Sequence, residues 1–456
     1  MNGLIALLLD IVKAPAFLVA IIALIGLLLQ KKSTTEIVKG TVKTFIGFIV
    51  LSAGAGVVQG SLEPFGGMFE AAFNVKGVVP NNEAIISMAL TTFGTTSALI
   101  MFFGMLANIL IARFTKFKHI FLTGHHTLYM ACMLAVIFHV AGFSGVSLIV
   151  VGSLALGAIM SMAPFILQTF MKDMVGSNAV GLGHFGSVGY AIAGYTGRLL
   201  RGKKEKVVTT EDVKFPKALA FLRDSTVSIA LTMIVIYVII AIIAGPSYVN
   251  DTLKADSNFI IFAITKGGEF AAGVYIILQG VRLILNEIVP AFKGISEKLV
   301  PNSIPALDCP IVFTAAPNAV LIGFFSSFVG GIVSLVVMGL LQTVIILPGV
   351  VPHFFCGATA GVFGNSRGGL KGCILGAFIH GVIISFLPIF LMPLLGNLGF
   401  ANATFSDADF CVAGIFYGGL ANIGSKIAVI IGLIVVYAII VGYSLVKSGR
   451  KVENEA

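Results

Sequence analysis

The sequence predicts an all-α, polytopic membrane protein with about 11 transmembrane helices, re-entrant segments and two pseudo-repeated halves. Hydrophobic residues make up 57% of the chain and charged residues only 11%, and the mean hydropathy is +1.04. This composition excludes an ordinary soluble globular protein. Apolar runs long enough to cross a bilayer recur along the whole chain, and no hydrophilic stretch is long enough for a second domain. We therefore expect residues 1–456 to form a single membrane domain.

The predicted membrane spans follow the apolar runs. Nine runs are convincing, and two weaker ones, 45–60 and 347–363, are short and rich in glycine. The nine are residues 14–29, 92–112, 128–142, 147–171, 227–245, 260–285, 317–341, 373–395 and 427–446. Together they predict about 10 or 11 crossings.

The distribution of basic residues predicts the orientation of these spans. Lysine and arginine are concentrated in residues 31–43, 113–118, 198–217 and 447–451. Positive-inside bias places these four segments in the cytoplasm, puts the amino terminus outside and favours 11 crossings over 10. The same bias accounts for the net charge of +9, so no nucleic-acid partner is predicted. Lys31 and Lys32 follow the first apolar run instead of preceding it, which argues against a cleavable signal peptide.

A hydrophilic loop divides the chain into approximate halves, 14–200 and 258–447, linked by residues 198–217. Each half contains Pro-x-x-acid before an apolar helix: residues 80–83 end in Glu83, and residues 305–308 end in Asp308. Duplicated halves with interrupted helices at corresponding places typically mark a transporter's binding site. The spacing between the matched pieces differs, so chance similarity is the alternative.

Glu83 and Asp308 are the first candidate site residues. A charge in or beside a membrane span costs at least about 2.5 to 3.5 kcal/mol on insertion scales, so such residues are functional candidates. The structural alternative is that each carboxylate caps the helix that follows it, where backbone N–H groups and the helix dipole favour negative charge. One residue can serve both purposes.

Histidines beside glycines form a second candidate group. His125 and His126 occur in Leu-Thr-Gly-His-His-Thr, which ends at Thr127, and His184 occurs in Gly-Leu-Gly-His-Phe. Neutral imidazole offers one donor and one acceptor, which suits a ligand rich in hydroxyl groups. The alternative for His125, His126 and His184 is a structural role within a helix bundle. That structural role is the favoured interpretation for His139, His353 and His380.

Metal, cofactor and catalytic motifs are not apparent in the sequence. Histidines and cysteines lack the spacing of common metal sites, so neither a metal nor a cofactor is predicted. The five cysteines are isolated in apolar or glycine-rich surroundings and are expected to be packing residues. No nucleophile with an adjacent base is evident, so an integral membrane enzyme is disfavoured and no autonomous catalysis is expected.

Seven short motifs occur along the chain: Lys-Gly-Thr-Val-Lys-Thr-Phe-Ile-Gly-Phe at 39–48, Leu-Thr-Gly-His at 122–125, Gly-Leu-Gly-His at 181–184, Leu-Gln-Gly-Val-Arg at 278–282, Asp-Cys at 308–309, Ala-Pro-Asn-Ala-Val at 316–320 and Leu-Pro-Gly at 347–349. In this order they resemble the ascorbate-type IIC family of bacterial phosphotransferase systems, and the similarity runs from about residue 14 to residue 450.

The resemblance implies a sugar permease of the bacterial inner membrane. It also implies a homodimer in lipid, movement of a core domain against a dimerising domain, and partnership with separate IIA and IIB proteins, the latter phosphorylating the sugar. The family's ascorbate contacts fall on Asn82, Glu83, His125, Tyr129, His184, Phe185 and Asp308, and His126 and Thr127 adjoin them.

Three of these positions depart from the family pattern and leave the substrate open. The familiar ascorbate transporter has glutamines where this chain has Tyr129 and Phe185, and a tyrosine where it has Glu83. Ascorbate is a monoanion near neutral pH, so two carboxylates would repel it unless one is protonated or balanced by a histidine. L-Ascorbate is the family expectation, and a neutral pentose or polyol is the alternative. An ion-coupled secondary sugar transporter is the competing mechanism.

Overall fold

Helices dominate the computed structural model, which describes residues 15–73, 77–176, 178–201, 207–213, 221, 224–313, 315–397 and 403–453. Eleven helical segments of 14 residues or more occur within these ranges, and two of them, residues 358–391 and 408–453, each join two helices at a kink. They are α1 (Pro15–Leu29), α2 (Thr34–Phe73), α3 (Asn82–Phe114), α4 (Gly124–Val140), α5 (Gly145–Val175), α6 (Ser187–Leu200), α7 (Ser225–Ala244), α8 (Phe259–Leu299), α9 (Pro317–Leu340), α10 (Ala358–Leu391) and α11 (Ala408–Glu453). Shorter helical segments are Thr210–Asp212, Tyr248–Thr252, Pro310–Phe313, Val350–Pro352, His353–Gly357 and Met392–Leu394.

Six helical segments in the described part of the chain are long and apolar enough to cross a membrane. They are Met88–Phe114, Gly145–Val175, Phe259–Ile276, Pro317–Leu340, His353–Leu394 and Ala408–Val446, and two shorter apolar helices are Gly124–Val140 and Ile229–Ala244. The predicted helical membrane class is thereby confirmed. The crossing count and the re-entrant segments stay predictions.

The predicted spans omitted one helix and correctly separated two others. Helix α6 is only 14 residues long, contains three glycines and was not among the predicted runs. Residues 358–391 contain two helices that meet at a kink at Gly369, where φ is +60°, which matches the break between the predicted runs 347–363 and 373–395. Much of the basic loop 198–217, namely residues 202–206 and 214–217, lies outside the described residues.

Two small parallel sheets, which the sequence did not predict, connect the helices. In one sheet β1 (Gly77–Pro80) lies between β5 (Ile345–Ile346) and β6 (Ala403–Thr404). In the other, β4 (Ile304–Leu307) lies between β2 (His119–Phe121) and β3 (Gly181–Leu182). Each central strand thus comes from one predicted half and its two neighbours from the other half.

The order of elements is similar in the two halves. In each half, a helix of 40 or 41 residues, α2 or α8, leads into the four-residue central strand of a sheet, and these two long helices pack against each other. A strand–helix alternation then follows in both halves, and the two helices that meet at Gly369 take the place of α4 and α5. The matching order of elements supports the predicted repeat of the two halves, which stays an interpretation.

Helix α4 lies at the centre of the main hydrophobic core. Fourteen of its residues are buried, including a continuous run from His126 to Phe138. A helix that is apolar on every side is typical of a position enclosed by other helices. Its amino end therefore carries two histidines into the interior of the protein.

Candidate functional site

The carboxyl ends of the short strands deliver the polar residues of the candidate site. Because the strands within each sheet are parallel, their carboxyl ends lie at the same edge. Asn82 follows β1, and Asp407 follows β6. In the other sheet His125 follows β2, His184 follows β3 and Asp308 follows β4.

Asp308 faces two of the predicted histidines. Its Oδ2 lies 3.7 Å from Nε2 of His125, and its Oδ1 lies 3.9 Å from Nε2 of His184. Both separations are too long for direct hydrogen bonds. Oδ1 also accepts a 2.7 Å hydrogen bond from the backbone N–H of Cys309, which fixes the carboxylate. The Asp308 side chain is 34% exposed, so polar groups of a ligand can reach this acid.

Asp407, which the sequence analysis missed, forms the other end of the cluster. Its Oδ1 accepts hydrogen bonds from Nδ2 of Asn82 at 2.8 Å and from Oγ of Ser406 at 2.7 Å. The backbone N–H of Ser406 donates to Oδ1 of Asn82 at 2.9 Å, which completes a reciprocal pair. Oδ2 of Asp407 lies 3.9 Å from Nε2 of His126. Asn82 is therefore held by protein contacts on both sides of its amide.

His126 and His184 bridge the two aspartates, with their ring centroids 3.9 Å apart. Nδ1 of His184 shares a 2.8 Å hydrogen bond with the hydroxyl of Tyr190. Nδ1 of His126 accepts a 3.3 Å hydrogen bond from the backbone N–H of Phe185. A neutral imidazole that accepts at Nδ1 carries its hydrogen on Nε2. His126 therefore presents a donor towards Asp407.

Three overlapping triplets in the described residues have ligand atoms within 4.8 Å of one another, a separation at which one ion can be held. They are His125–His126–Asp308, His126–His184–Asp407 and His184–Asp308–Cys309. Each triplet joins residues from more than one element, so sequence spacing alone could not reveal it. Metal ligation requires an unprotonated nitrogen, whereas the backbone contact of His126 leaves its Nε2 protonated. The triplets containing His126 thus favour hydrogen bonding over metal binding.

Aromatic rings surround the polar cluster. Phe185 stacks on Phe121 at 4.5 Å between centroids, and Phe410 lies parallel to His126 at 5.6 Å. The Tyr129 ring meets His125 edge-on at 5.8 Å. Such packing holds the imidazole rings in fixed orientations.

Two predicted contact residues have side chains already engaged in packing. Phe185 is fully buried between aromatic rings. Thr127 is also fully buried, and its hydroxyl donates to the backbone carbonyl of Thr123 at 3.0 Å. These contacts favour a structural role for both side chains, although each lies directly beside the histidines.

Glu83 occupies the first turn of α3, beside Asn82. Its side chain is half-buried and interacts electrostatically with Asp407 and Tyr129. A carboxylate in this turn is also favoured by the helix dipole. The structure therefore supports the helix-terminus role of Glu83 and places its charge near the Asp407 end of the cluster.

Asp409 is a second acid that the sequence analysis missed, and it anchors helix α6. Its carboxylate accepts hydrogen bonds from the backbone N–H groups of Ser187 at 2.8 Å and Val188 at 3.0 Å. The hydroxyl of Ser187 donates to it at 2.6 Å. The backbone N–H of Asp409 donates to the carbonyl of Phe185 at 3.0 Å. The stretch Phe-Ser-Asp-Ala-Asp-Phe at 405–410, two acids before an apolar helix, was the available signal.

The three histidines and the cysteines for which the sequence favoured a structural role pack against neighbouring side chains. His353 is buried and bonded through Nδ1 to the Ser327 hydroxyl at 2.8 Å. His380 is buried and stacks on Tyr190, while His139 is exposed and packs edge-on against Phe93. All five cysteines are buried and carry free thiols, as expected of packing residues.

Comparison with known proteins assigns the chain to a family. The family model described as the sugar-specific permease component of the PTS, the phosphotransferase system, matches residues 10–409. The ascorbate-specific PTS system EIIC component of Mycoplasma pneumoniae is 26% identical over an alignment that covers 88% of this chain and 66% of that protein. The chain thus spans slightly less than two thirds of that relative's length. A match over most of the chain, together with the helical membrane fold, shows that this chain belongs to the family of sugar-specific permease (IIC) components of the phosphotransferase system.

Proposed function

We propose that this protein binds a sugar in the cluster bounded by Asp308 and Asp407 and carries it across the membrane. The observation that supports this most strongly is the convergence of three imidazoles and two carboxylates, delivered by four different strand ends. Charged and imidazole groups inside a membrane domain are costly and mark substrate pathways. Gaps of 3.7 to 3.9 Å between these groups leave hydrogen-bonding capacity for sugar hydroxyls.

We propose L-ascorbate or a related sugar as the substrate. The name of the Mycoplasma relative and the motif resemblance support ascorbate. The acids at 83, 308 and 407 favour a neutral pentose or polyol instead, because carboxylates repel an anion unless they are protonated or balanced by imidazolium. The predicted ascorbate contacts are Asn82, Glu83, His125, His126, Thr127, Tyr129, His184, Phe185 and Asp308, to which the geometry adds Asp407.

The proposed cellular setting follows from the family. The protein acts in the bacterial inner membrane as a homodimer, together with IIA and IIB proteins, and IIB phosphorylates the sugar as it is delivered. The permease itself supplies binding and translocation. All five cysteine thiols are buried, where they cannot readily exchange a phosphoryl group with a partner protein.

Proton-coupled secondary transport is the second candidate function. The row Asp308–His184–His126–Asp407 favours it, with separations of 3.9 Å between each carboxylate and its histidine and 3.9 Å between the two rings. Rows of acids and histidines within a membrane domain serve as proton relays in other transporters. In this mechanism a proton gradient, instead of phosphorylation, would drive uptake.

Uptake by reconstituted vesicles separates the two mechanisms. Purified protein is tested with labelled ascorbate, pentoses and polyols, with and without phosphoenolpyruvate and the PTS phosphocarrier, IIA and IIB proteins. The proposal expects accumulation of sugar phosphate only with the complete set. Accumulation of unmodified sugar driven by an imposed pH gradient alone would establish the second candidate instead.

A further inference from the structure

A cavity of about 510 Å³ lies apart from the polar cluster, between helices α2, α7 and α9 and the strands β1 and β5. Phenylalanine, isoleucine, valine, leucine and methionine side chains make up most of its wall. Asn81 and Thr232 are the polar side chains among the described residues that line it. A wall of this composition offers almost no hydrogen bonds to a sugar and suits a hydrocarbon.

The cavity opens towards the outer surface of the protein. Its lining includes Val235 and Ile239 on α7, which are 54% and 50% exposed, and Ile332 and Val336 on α9, which are 45% and 53% exposed. Helix α9 is long and apolar enough to cross the membrane, and residues 229–244 of α7 form one of the shorter apolar helices. The deeper wall is closed by buried residues such as Phe69, Val79 and Phe270. An apolar recess that opens between two such helices faces lipid acyl chains.

We propose that this cavity binds one acyl chain of a membrane phospholipid, inserted laterally between α7 and α9. The hydrocarbon lining and the lipid-facing mouth of the cavity favour an acyl chain over other occupants. A sugar, a peptide strand or an ion would leave polar groups unpaired against this wall. The proposal does not depend on which sugar is transported.

The inner wall of the cavity connects the acyl chain to the polar cluster. Val79, Pro80 and Asn81 line the cavity, and the next residue, Asn82, donates to Asp407 at 2.8 Å. The backbone N–H of Asn81 also donates to the carbonyl of Thr404 on β6, at 2.9 Å. An acyl chain in the cavity therefore packs against the strand end that holds Asn82 in place. Bilayer lipid thereby supports one side of the sugar site.

The protein contains no tryptophan, which allows a direct fluorescence test. Phe270→Trp puts a single indole at a position that lines the cavity and is 2% exposed, so bulk lipid cannot contact it. Phe170→Trp is the matched control, since that residue is 1% exposed and lies in a different hydrophobic cluster. Each variant is reconstituted in phosphatidylcholine with or without bromine on its acyl chains, because bromine quenches indole only near contact. Phe328→Trp, at another lining position, serves as a second reporter.

Occupancy is then blocked by substitution at Gly339. This residue lines the cavity, and a Cβ added there meets no atom within 4 Å, so the position accepts a side chain and Gly339→Phe introduces a ring at the cavity wall. Gly442→Phe is the control, at an equally open glycine on α11. The proposal expects brominated lipid to quench the fluorescence of the indoles at 270 and 328 but not of the indole at 170. Gly339→Phe should relieve this quenching, whereas the control Gly442→Phe should not. Equal quenching at 270 and 170, or quenching indifferent to Gly339→Phe, would overturn it.

Discussion

Asn82 and Asp407, which are 325 positions apart in the chain, are joined by a buried hydrogen bond of 2.8 Å between Nδ2 and Oδ1. The bond connects the amino end of α3 with the segment between β6 and α11. Ser406 reinforces it by donating through its backbone to Asn82 and through its hydroxyl to Asp407. The two predicted halves thus meet at the candidate sugar site through a polar contact.

A double-mutant cycle on Asn82 and Asp407 should reveal strong coupling. Asn82→Ala and Asp407→Ala each remove a charge-assisted hydrogen bond, so each is expected to lower the free energy of unfolding by about 1.5 to 3 kcal/mol. The double variant should lose less than the sum, with a coupling energy of about 0.5 to 3 kcal/mol. Chemical denaturation in detergent measures these values. Pairing Asn82→Ala with Asp256→Ala, at an exposed acid, is the control and should be additive. Additivity in the Asp407 pair as well would contradict the prediction.

Loss of either histidine that faces Asp308 should abolish sugar uptake. His125→Ala and His184→Ala remove the imidazoles whose Nε2 atoms lie 3.7 and 3.9 Å from the carboxylate. Membrane insertion should persist, and it is checked by quantifying protein in isolated membranes. His139→Ala is the matched control, because that histidine is exposed at the other end of α4. Near-normal uptake by both site variants would assign these histidines a purely structural role.

His126 offers a test of hydrogen-bond polarity. Glutamine places its amide nitrogen near the position of histidine Nε2, whereas asparagine is shorter and reaches only the position of Nδ1. Because Nε2 is the proposed donor towards Asp407, His126→Gln should retain more sugar affinity than His126→Asn. One neutral hydrogen bond corresponds to about 0.5 to 1.5 kcal/mol, or about 2- to 12-fold in Kd. Isothermal titration with the transported sugar gives the comparison, and a reversed order would refute the assigned tautomer.

The sequence predicted the helical membrane class and much of the candidate site because those features are local. Apolar runs identify α3, α5 and α9 directly, and the glycine-flanked histidines at 125 and 184 stand out from their surroundings. Asp308 was identifiable as an acid before an apolar helix. Its proximity to both histidines follows from the pairing of β4 with β2 and β3, which the sequence did not predict.

The missed features depend on contacts between distant segments. Strands of two to four residues carry too little alternation to be distinguished from loops. Asp407 acquires its role only through Asn82 and His126, and Asp409 only through the amino end of α6. In sequence, both acids resemble ordinary helix-capping residues. Helix α6 was missed because its glycines reduce its hydropathy and its length is below that of a full span.

Membrane orientation can be tested by cysteine labelling in intact cells. The basic loop 198–217 is predicted to be cytoplasmic, so Arg201→Cys should resist a membrane-impermeant maleimide added from outside. Val146→Cys, at the exposed amino end of α5, should be labelled readily, because the predicted orientation places it outside. The five native cysteines are buried, which keeps the background low. Efficient labelling at position 201 would refute the predicted topology.

The charge of Asp308 should decide how the protein discriminates between ascorbate and neutral sugars. Asp308→Asn keeps the size of the side chain and one acceptor oxygen but removes the negative charge. A neutral pentose or polyol loses a charge-assisted hydrogen bond, so its affinity should fall by about 1.5 to 3 kcal/mol, or about 10- to 150-fold. Ascorbate, an anion, gains from the removal of like charge, so its affinity should fall less or rise. Direct binding to wild type, Asp308→Asn, Glu83→Gln and the exposed-site control Asp256→Asn measures both effects. If no ligand changes affinity in either of the first two variants, these acids only stabilise helix ends and the sugar binds elsewhere.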